Sequence, residues 1–302
     1  MFFIDAIIRI NNKLYHRDSH FKNRMLSPLR FSVRCIANAI FPILLKRQSS
    51  PKDMKGRSEI IVSLTSFPAR IDKVWQVIVC MLNQTFRPRE IVLWLSKEQF
   101  PHKDCIPNSL KNLENDVFKI RIVEGDIKSH KKYYYTLLEY KDDYVFLIDD
   151  DLYYPSTMLE KAWAAHINHP NAVICNYGYH ISYNEQGILN SYKQWKACYK
   201  ESSDNDIFFG SGGGTLINLS SLYKDASNIN LALKLTPWAD DIWLNAMTRL
   251  AGVGCYMLAN GSLLPIKQSN NMRLTSINNG ENLNDIQIHA VEDYYGPLFS
   301  HN

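Results

Sequence analysis

From residue 59 onward the chain alternates between two hydrophobic rhythms. EIIVSL (59–64), EIVLWLS (90–96), FKIRIVE (118–124) and YVFLI (144–148) are short apolar runs of strand length. Between them, PARIDKVWQVIVCMLNQ (68–84) sets Ile71, Val74, Trp75, Ile78 and Leu82 at helical spacing. A short helix is expected near 107–115, and HKKYYYTLLEY (130–140) predicts another. YVFLI has no polar position, as expected of a strand covered on both faces.

The second half continues the pattern less regularly. Pro155 suits a first helical turn, and STMLEKAWAAHIN (156–168) follows it with Met158, Leu159, Ala162, Trp163 and Ile167 as the buried stripe. AVICNYGY (172–179) reads as a strand, FFGSGGGTLIN (208–218) as a Gly-rich turn entering one, and VGCYML (253–258) as another. TPWADDIWLNAMTRL (236–250) predicts a helix with Thr236 as N-cap and Pro237 at the first position. Residues 180–206 predict no clear element, and the tail from 268 is Asn-rich and turn-prone. Alternating β and α units imply an α/β fold, with a mostly parallel, Rossmann-like sheet flanked by helices. In such sheets ligands bind beyond the carboxyl ends of the strands.

Composition adds a boundary. QSSPKDMKGRSE (48–59) is polar and turn-rich, which separates a basic, partly helical N-terminal extension (1–57) from a main domain (58–302). Residues 1–58 carry twelve Lys/Arg against three Asp/Glu, a net +9, whereas the remainder is net −5. The apolar runs FFIDAIIRI and CIANAIFPILL fall short of the roughly 20 residues that span a bilayer, and no signal-peptide pattern is present. Two readings of the extension stand side by side: a segment lying on an anionic membrane surface, or helices packed on the domain with a solvated basic face. The six cysteines form no CxxC pair, which favours a reducing, cytoplasmic setting over a zinc site or disulfide framework. A nucleic-acid partner is not expected, because the basic charge is confined to the extension and no known module pattern occurs.

The most informative stretch is YVFLIDDDLYYP (144–155), where a buried strand runs into Asp149, Asp150 and Asp151. An isolated buried charge costs on the order of tens of kcal/mol before relaxation. The triplet is therefore solvated, partly protonated, or facing a cation. In an extended segment, Asp149 and Asp151 would share a face. Mg2+ or Mn2+ takes about one or two protein carboxylates and completes its shell with water and phosphate oxygens. The alternative is a solvated Asp-rich turn.

With these residues in place, the chain resembles GT-A glycosyltransferases of the family 2 type that build bacterial surface polysaccharides. The resemblance is carried by VSLTSFPARI (62–71), LNQTFRPREIVLWLS (82–96), FLIDDDLYYPSTMLE (146–160), GSGGG (210–214) and WADDIWL (238–244). It implies that IDDD is the metal-binding DxD element, with Asp149 and Asp151 as ligands of Mn2+ or Mg2+. It also implies a nucleotide-sugar donor and a glycan or lipid-linked acceptor, with hexosyl transfer at or near the inner face of the plasma membrane. Donor-side residues would be Thr65, Ser66 and Arg70 in the loop after the first strand, with Phe67 and Pro68 beside them. Asp126, Lys128, Lys131 and Lys132 after the third strand, and Asp150, would join them.

Asp240 and Asp241 correspond to the family's acidic pair, which supplies the base in inverting enzymes; Asp241 is favoured, and Asp at the first position departs from the family's frequent Glu. Carboxylates in a first helical turn are also stabilised by the helix dipole alone. Gly212, Gly213, Gly214 and Trp238 would line the acceptor side, although a tight turn explains the glycines equally. Trp195, Trp238 and Trp243 could stack on sugar rings, but each fits the core better than a sugar platform, and His289 matches a C-terminal metal histidine poorly. Two rivals remain: a nucleotidyltransferase, for which SLTSFPARI lacks the Gly-rich phosphate loop, and a non-catalytic carbohydrate-binding protein.

Overall fold

The computed structural model describes residues 1–14, 20–48, 58–141, 143–198, 200–203, 206–258, 263–268 and 282–299. The extension forms α1 (Phe2–Lys13), α2 (His20–Met25) and α3 (Ser27–Lys46). The first half of the main domain then alternates as expected: β1 (Ile60–Thr65), α4 (Ile71–Leu82), β2 (Glu90–Ser96), the short α5 (Asn108–Lys111), β3 (Phe118–Val123), α6 (Lys131–Glu139) and β4 (Tyr144–Ile148). β1, β2, β3 and β4 pair in parallel, with β1 between β2 and β4. Both faces of β1, β2 and β4 are covered, which is why these strands read as nearly unbroken apolar runs, whereas the edge strand β3 exposes Arg121.

The second half departs from simple alternation. After β5 (Leu152–Tyr153) and α7 (Met158–Asn168) come β6 (Ala172–Cys175), β7 (Gly178–His180), β8 (Lys196–Ala197), β9 (Ser202–Ser203), β10 (Ile207–Phe209) and β11 (Gly213–Asn218). β11 inserts antiparallel between β4 and β6. α8 (Ile229–Leu235), α9 (Asp240–Leu250), β12 (Gly254–Met257), β13 (Leu264–Pro265) and α10 (Leu283–Tyr295) complete the chain. The main sheet has eight strands in the order β3-β2-β1-β4-β11-β6-β12-β9; β10-β7-β8 and β13-β5 form two small sheets. The expected α/β class with a mostly parallel sheet flanked by helices is what the structure has.

Three sequence expectations are corrected. Thr236 does not cap α9: it follows α8, and its Oγ1 donates to the Ala232 carbonyl at 2.9 Å, while α9 begins at Asp240. The tail is not all turn, because Ile288 and Val291 bury one face of α10 in the core around α9. The run CIANAIFPILL does not stop short of spanning length. Residues 27–34 join it in the 20-residue α3, which is long and apolar enough to cross a membrane by length and composition alone.

The extension is packed as a further layer of the domain. Ile4 and Ile8 of α1 and Ala37, Phe41 and Leu45 of α3 are buried in the same cluster as Val74, Ile78 and Tyr153. Burial of this kind is worth about 1.5–3 kcal/mol for each large side chain. Asp5 accepts from both the Ser156 amide (2.9 Å) and its hydroxyl (2.6 Å), which fixes α1 to the start of the α7 segment.

Candidate active site

The carboxyl ends of β1 and β4, the loop before α6, the turn before β11 and the first turn of α9 converge at one rim. The acid triplet is a turn rather than an extended segment, so Asp149 and Asp151 do not share a face by strand geometry. Their environments differ instead through the cations around them.

Asp150 is buried, with a side chain only 6% exposed. Ser66 Oγ donates to its Oδ2 at 2.5 Å, and Arg70 Nη1 to its Oδ1 at 2.7 Å. Desolvation raises its pKa in spite of these partners. The same Arg70 Nη1 stands 3.1 Å from Asp151 Oδ2. Desolvation opposes the charge of Arg70, but Asp150 and Asp151 outweigh it and hold the guanidinium firmly protonated. Arg70 Nε is buried and finds no acceptor, so one donor of the fork remains for a ligand oxygen. Asp149 is the most open of the three at 44%, and Asp151 follows at 24%.

Lys132 connects this triplet to the second acidic pair. Its ammonium is 3.0 Å from Asp149 Oδ1 and 3.2 Å from Asp240 Oδ2, and its side chain is 4% exposed. Burial works against the charge, yet Asp149 and Asp240 more than compensate and raise its pKa. On the other side, Ser211 Oγ donates to Asp240 Oδ2 at 2.7 Å. Asp240 is desolvated, but Lys132, His130 and Ser211 outweigh that and lower its pKa.

Asp241 has no such compensation. Desolvation and the neighbouring Asp240 raise its pKa to about 7, with Lys132 acting in the opposite sense. It retains partial exposure in the first turn of α9. A partly exposed carboxylate that titrates near neutrality, backed by a neighbouring anion, suits a general base.

Glycines and rings shape the rim. A Cβ on Gly212 would lie 1.9 Å from the carboxylate of Asp149, so a larger residue there would displace that side chain. Gly214 has φ +95° at the register shift between β11 and β4. Tyr154 donates from its hydroxyl to the Gly212 carbonyl at 2.6 Å and accepts from the Asp149 amide at 2.8 Å, which clamps the two together. Tyr177, Tyr179, Tyr192 and Trp195 form a chain of rings with centroids 5.0–5.4 Å apart. Asp241 acts electrostatically on Tyr192, so this aromatic wall borders Asp241.

The remaining expected residues are placed as follows. Thr65 Oγ1 donates to the Trp94 carbonyl at 2.8 Å, inside the sheet. Lys131 is buried and ion-paired to Asp126, which also accepts from Gln99 Nε2 at 2.8 Å. Lys128 has φ +54° and sets its ammonium 2.9 Å from the centre of the Trp238 ring, so those two residues close one side of the rim. Gly213 abuts Tyr177. Trp243 and Trp195 are buried, and His289 is exposed on α10. The structure thus gathers Ser66, Arg70, Lys132, Asp149, Asp150, Asp151, Gly212, Asp240 and Asp241 in one site. It gives Thr65, Lys131 and Asp126 internal partners.

Sequence reasoning missed Ser211, Tyr154, His130 and Asn245. Asn245 donates to the carbonyls of Phe209 and Asp241, both at 2.8 Å, and so fixes α9 against β10. His130 bonds the Thr236 carbonyl at 2.7 Å and ties the start of α6 to the approach to α9. Ser211 adjoins the Gly-rich turn, and that was its only signal.

Asp149 and Asp151 offer the hard oxygen donors that Mg2+ or Mn2+ prefers. Among the described residues there is no group of three or more His, Cys, Asp or Glu that could hold a metal. In this structure Asp149 is paired with Lys132 and Asp151 with Arg70.

No protein-family model matches the chain, and no curated protein matches it. Among solved structures it is similar to S. aureus TarS 1–349 in complex with UDP-GlcNAc, at 14% identity and a TM-score of 0.44, over 74% of this chain and 61% of that one. It is also similar to TarS 1–349 in complex with UDP (14%, TM-score 0.38, 68% and 59%) and to a further structure of TarS 1–349 (14%, TM-score 0.40, 70% and 59%). The chain spans about three fifths of the length of these structures.

Proposed function

We propose that the chain is an inverting glycosyltransferase. It moves a sugar from a nucleotide-diphosphate donor to a hydroxyl of a glycan or lipid-linked acceptor, in the cytoplasm at the inner face of the plasma membrane. The observation that carries this reading is the pairing of two unlike acidic groups across Lys132. One group lies at the sheet rim, where nucleotides bind in α/β folds; the other contains a carboxylate with a pKa of about 7.

In the reaction, Asp241 accepts the proton of the acceptor hydroxyl as its oxygen forms a bond to the anomeric carbon. The bond from that carbon to the diphosphate oxygen breaks, and the nucleotide diphosphate leaves with the electron pair. Arg70, anchored by Asp150 and held protonated, would set its positive charge beside the departing diphosphate. Asp149 and Asp151 would hold a divalent ion, which supplies further charge neutralisation on the diphosphate. The edge-to-face rings of Tyr177, Tyr179 and Tyr192 give an acceptor sugar aromatic surface to pack against.

Isothermal titration with UDP, GDP and CDP, each with and without Mn2+, tests the donor side; one nucleotide should bind with Mn2+ and weaken sharply without it. Incubation with a panel of nucleotide sugars should then release the nucleoside diphosphate. Pyrophosphate-dependent formation of a nucleoside triphosphate from the same sugars would instead mark a nucleotidyltransferase. Metal-independent binding, or none, would leave the transferase reading without support.

A further inference from the structure

The extension carries a surface that the site does not use. α1 and α3 run antiparallel: Arg30 Nη1 donates to the Leu14 carbonyl (3.1 Å), and Nη2 to the Asn23 carbonyl (2.7 Å), which ties α2 and the start of α3 to the end of α1. At its far end, Gln48 accepts from Asn83 at 3.2 Å, just past α4. Midway along α3, Asn38 donates to the Pro265 carbonyl (3.1 Å) and accepts from the Lys267 amide (2.7 Å). Between those two residues, the Ile266 amide donates to the Asp151 carbonyl at 2.7 Å. α3 therefore runs from the foot of α4 up to the acid rim. Arg30 lies eight residues beyond Asn38, about 12 Å at 1.5 Å per residue, so the α2 end of the hairpin stands outboard of the rim.

That end is apolar and basic at once. Phe21, Met25, Leu29 and Phe31 are exposed, the two phenylalanines at 72% and 68%. Lys22 and Arg24 are exposed beside them. Among the described residues of the extension the one carboxylate is Asp5, and it is engaged by Ser156 at the other end. The net charge of +9 over residues 1–58 has the sign that attracts an anionic leaflet. A spanning role for α3 conflicts with its packing: Ala37, Phe41 and Leu45 are fully buried against the domain, and Asn38 is bonded to it in mid-helix.

We propose that this end of the hairpin docks on an anionic lipid surface. Phe21, Met25, Leu29 and Phe31 insert among the acyl-chain ends, Lys22 and Arg24 lie at the headgroups, and the acid rim is held facing the membrane. Lipid docking stands without the transferase reading; its use, presenting the rim to a lipid-linked acceptor, rests on it.

The test is co-sedimentation of the full chain with vesicles of phosphatidylcholine alone or mixed with phosphatidylglycerol. The wild type should pellet with the mixed vesicles only, and less so at high salt. F21S/M25S/F31S and K22E/R24E should each bind about tenfold more weakly or worse, with unchanged circular dichroism and unchanged Mn2+-dependent nucleotide binding. A wild type that stays in the supernatant, or two variants that pellet like it, would overturn the proposal. So would a dimer that F21S/M25S/F31S dissociates in the absence of any vesicle binding, which would make the surface a contact between two copies. Vesicle binding without nucleotide binding would retain the docking and discard the transferase.

Discussion

The two acidic clusters contain the same side chain and behave differently because of what stands opposite them. At the end of β4, three carboxylates meet two buried cations, Arg70 and Lys132. At the start of α9, two carboxylates share Lys132 with the first group, and that cation reaches Asp240 rather than Asp241. In the first cluster Arg70 opposes the desolvation that raises the pKa of Asp150; in the second, Asp241 keeps a proton that comes off near neutrality. Role is set by the count of cations within reach, and that count cannot be read from DDD or DD.

The sharpest way to break this contrast is D241N. The amide retains the shape and removes the base, so turnover should fall by about 10²–10⁴-fold. Stability should move the other way. The folded-state pKa of Asp241 lies above its unfolded value, so the ionised group weakens the fold as pH rises through about 4 to 7. At pH 8 D241N should therefore be more stable by about 1–2 kcal/mol, allowing for partial exposure. Thermal melts at pH 5 and pH 8 read this directly: the gain should be small at pH 5 and present at pH 8.

D151A addresses the fixed cluster. It should lower Mn2+-dependent turnover by about 10²-fold and abolish the metal dependence of nucleotide binding, with the fold retained because Asp150 keeps Arg70. Unchanged metal dependence by titration calorimetry would remove Asp151 from the metal assignment.

K132M tests the link between the clusters. Breaking one partner out of a buried ion pair costs about 3–5 kcal/mol, visible as a lower urea midpoint. Lys132 lowers the pKa of Asp241, so its loss should also move the acidic limb of the pH–rate profile upward. The smallest expected effect is that of G212A. Its methyl group would displace the Asp149 carboxylate, at a cost of about 1–3 kcal/mol in stability, and weaken Mn2+-dependent nucleotide binding more than metal-free binding.

The first half of the fold was legible because three of its four strands are buried on both faces, β3 is the half-exposed edge, and its helices carry one clear stripe. Apolar runs at 60–65, 90–96, 118–123 and 144–148 leave few alternatives. The second half was not, because β7, β8, β9 and β10 are two or three residues long and have no room for a period. α10 was hidden by an Asn-rich approach that reads as turn. In the site, carboxylates were legible as types, since several charges at a strand end demand an explanation. Their partners were not. Lys132 reads in sequence as one of several lysines on a helix face, and only the packing of α6 under the rim buries it between Asp149 and Asp240. Arg70 and Ser66 were expected at the donor, and their geometry turns them toward Asp150 first.

The central claim is that Asp241 is the base of a sugar transfer whose proton is tuned by Asp240 and Lys132. It is tested most directly by the pH dependence of nucleotide release from a panel of UDP-, GDP- and CDP-sugars, with Mn2+ present, for wild type, K132M and D241N. The account predicts a wild-type limb near pH 7, a limb at higher pH in K132M, and release close to background at every pH in D241N. Release by D241N at the wild-type rate, with the same limb, would contradict it.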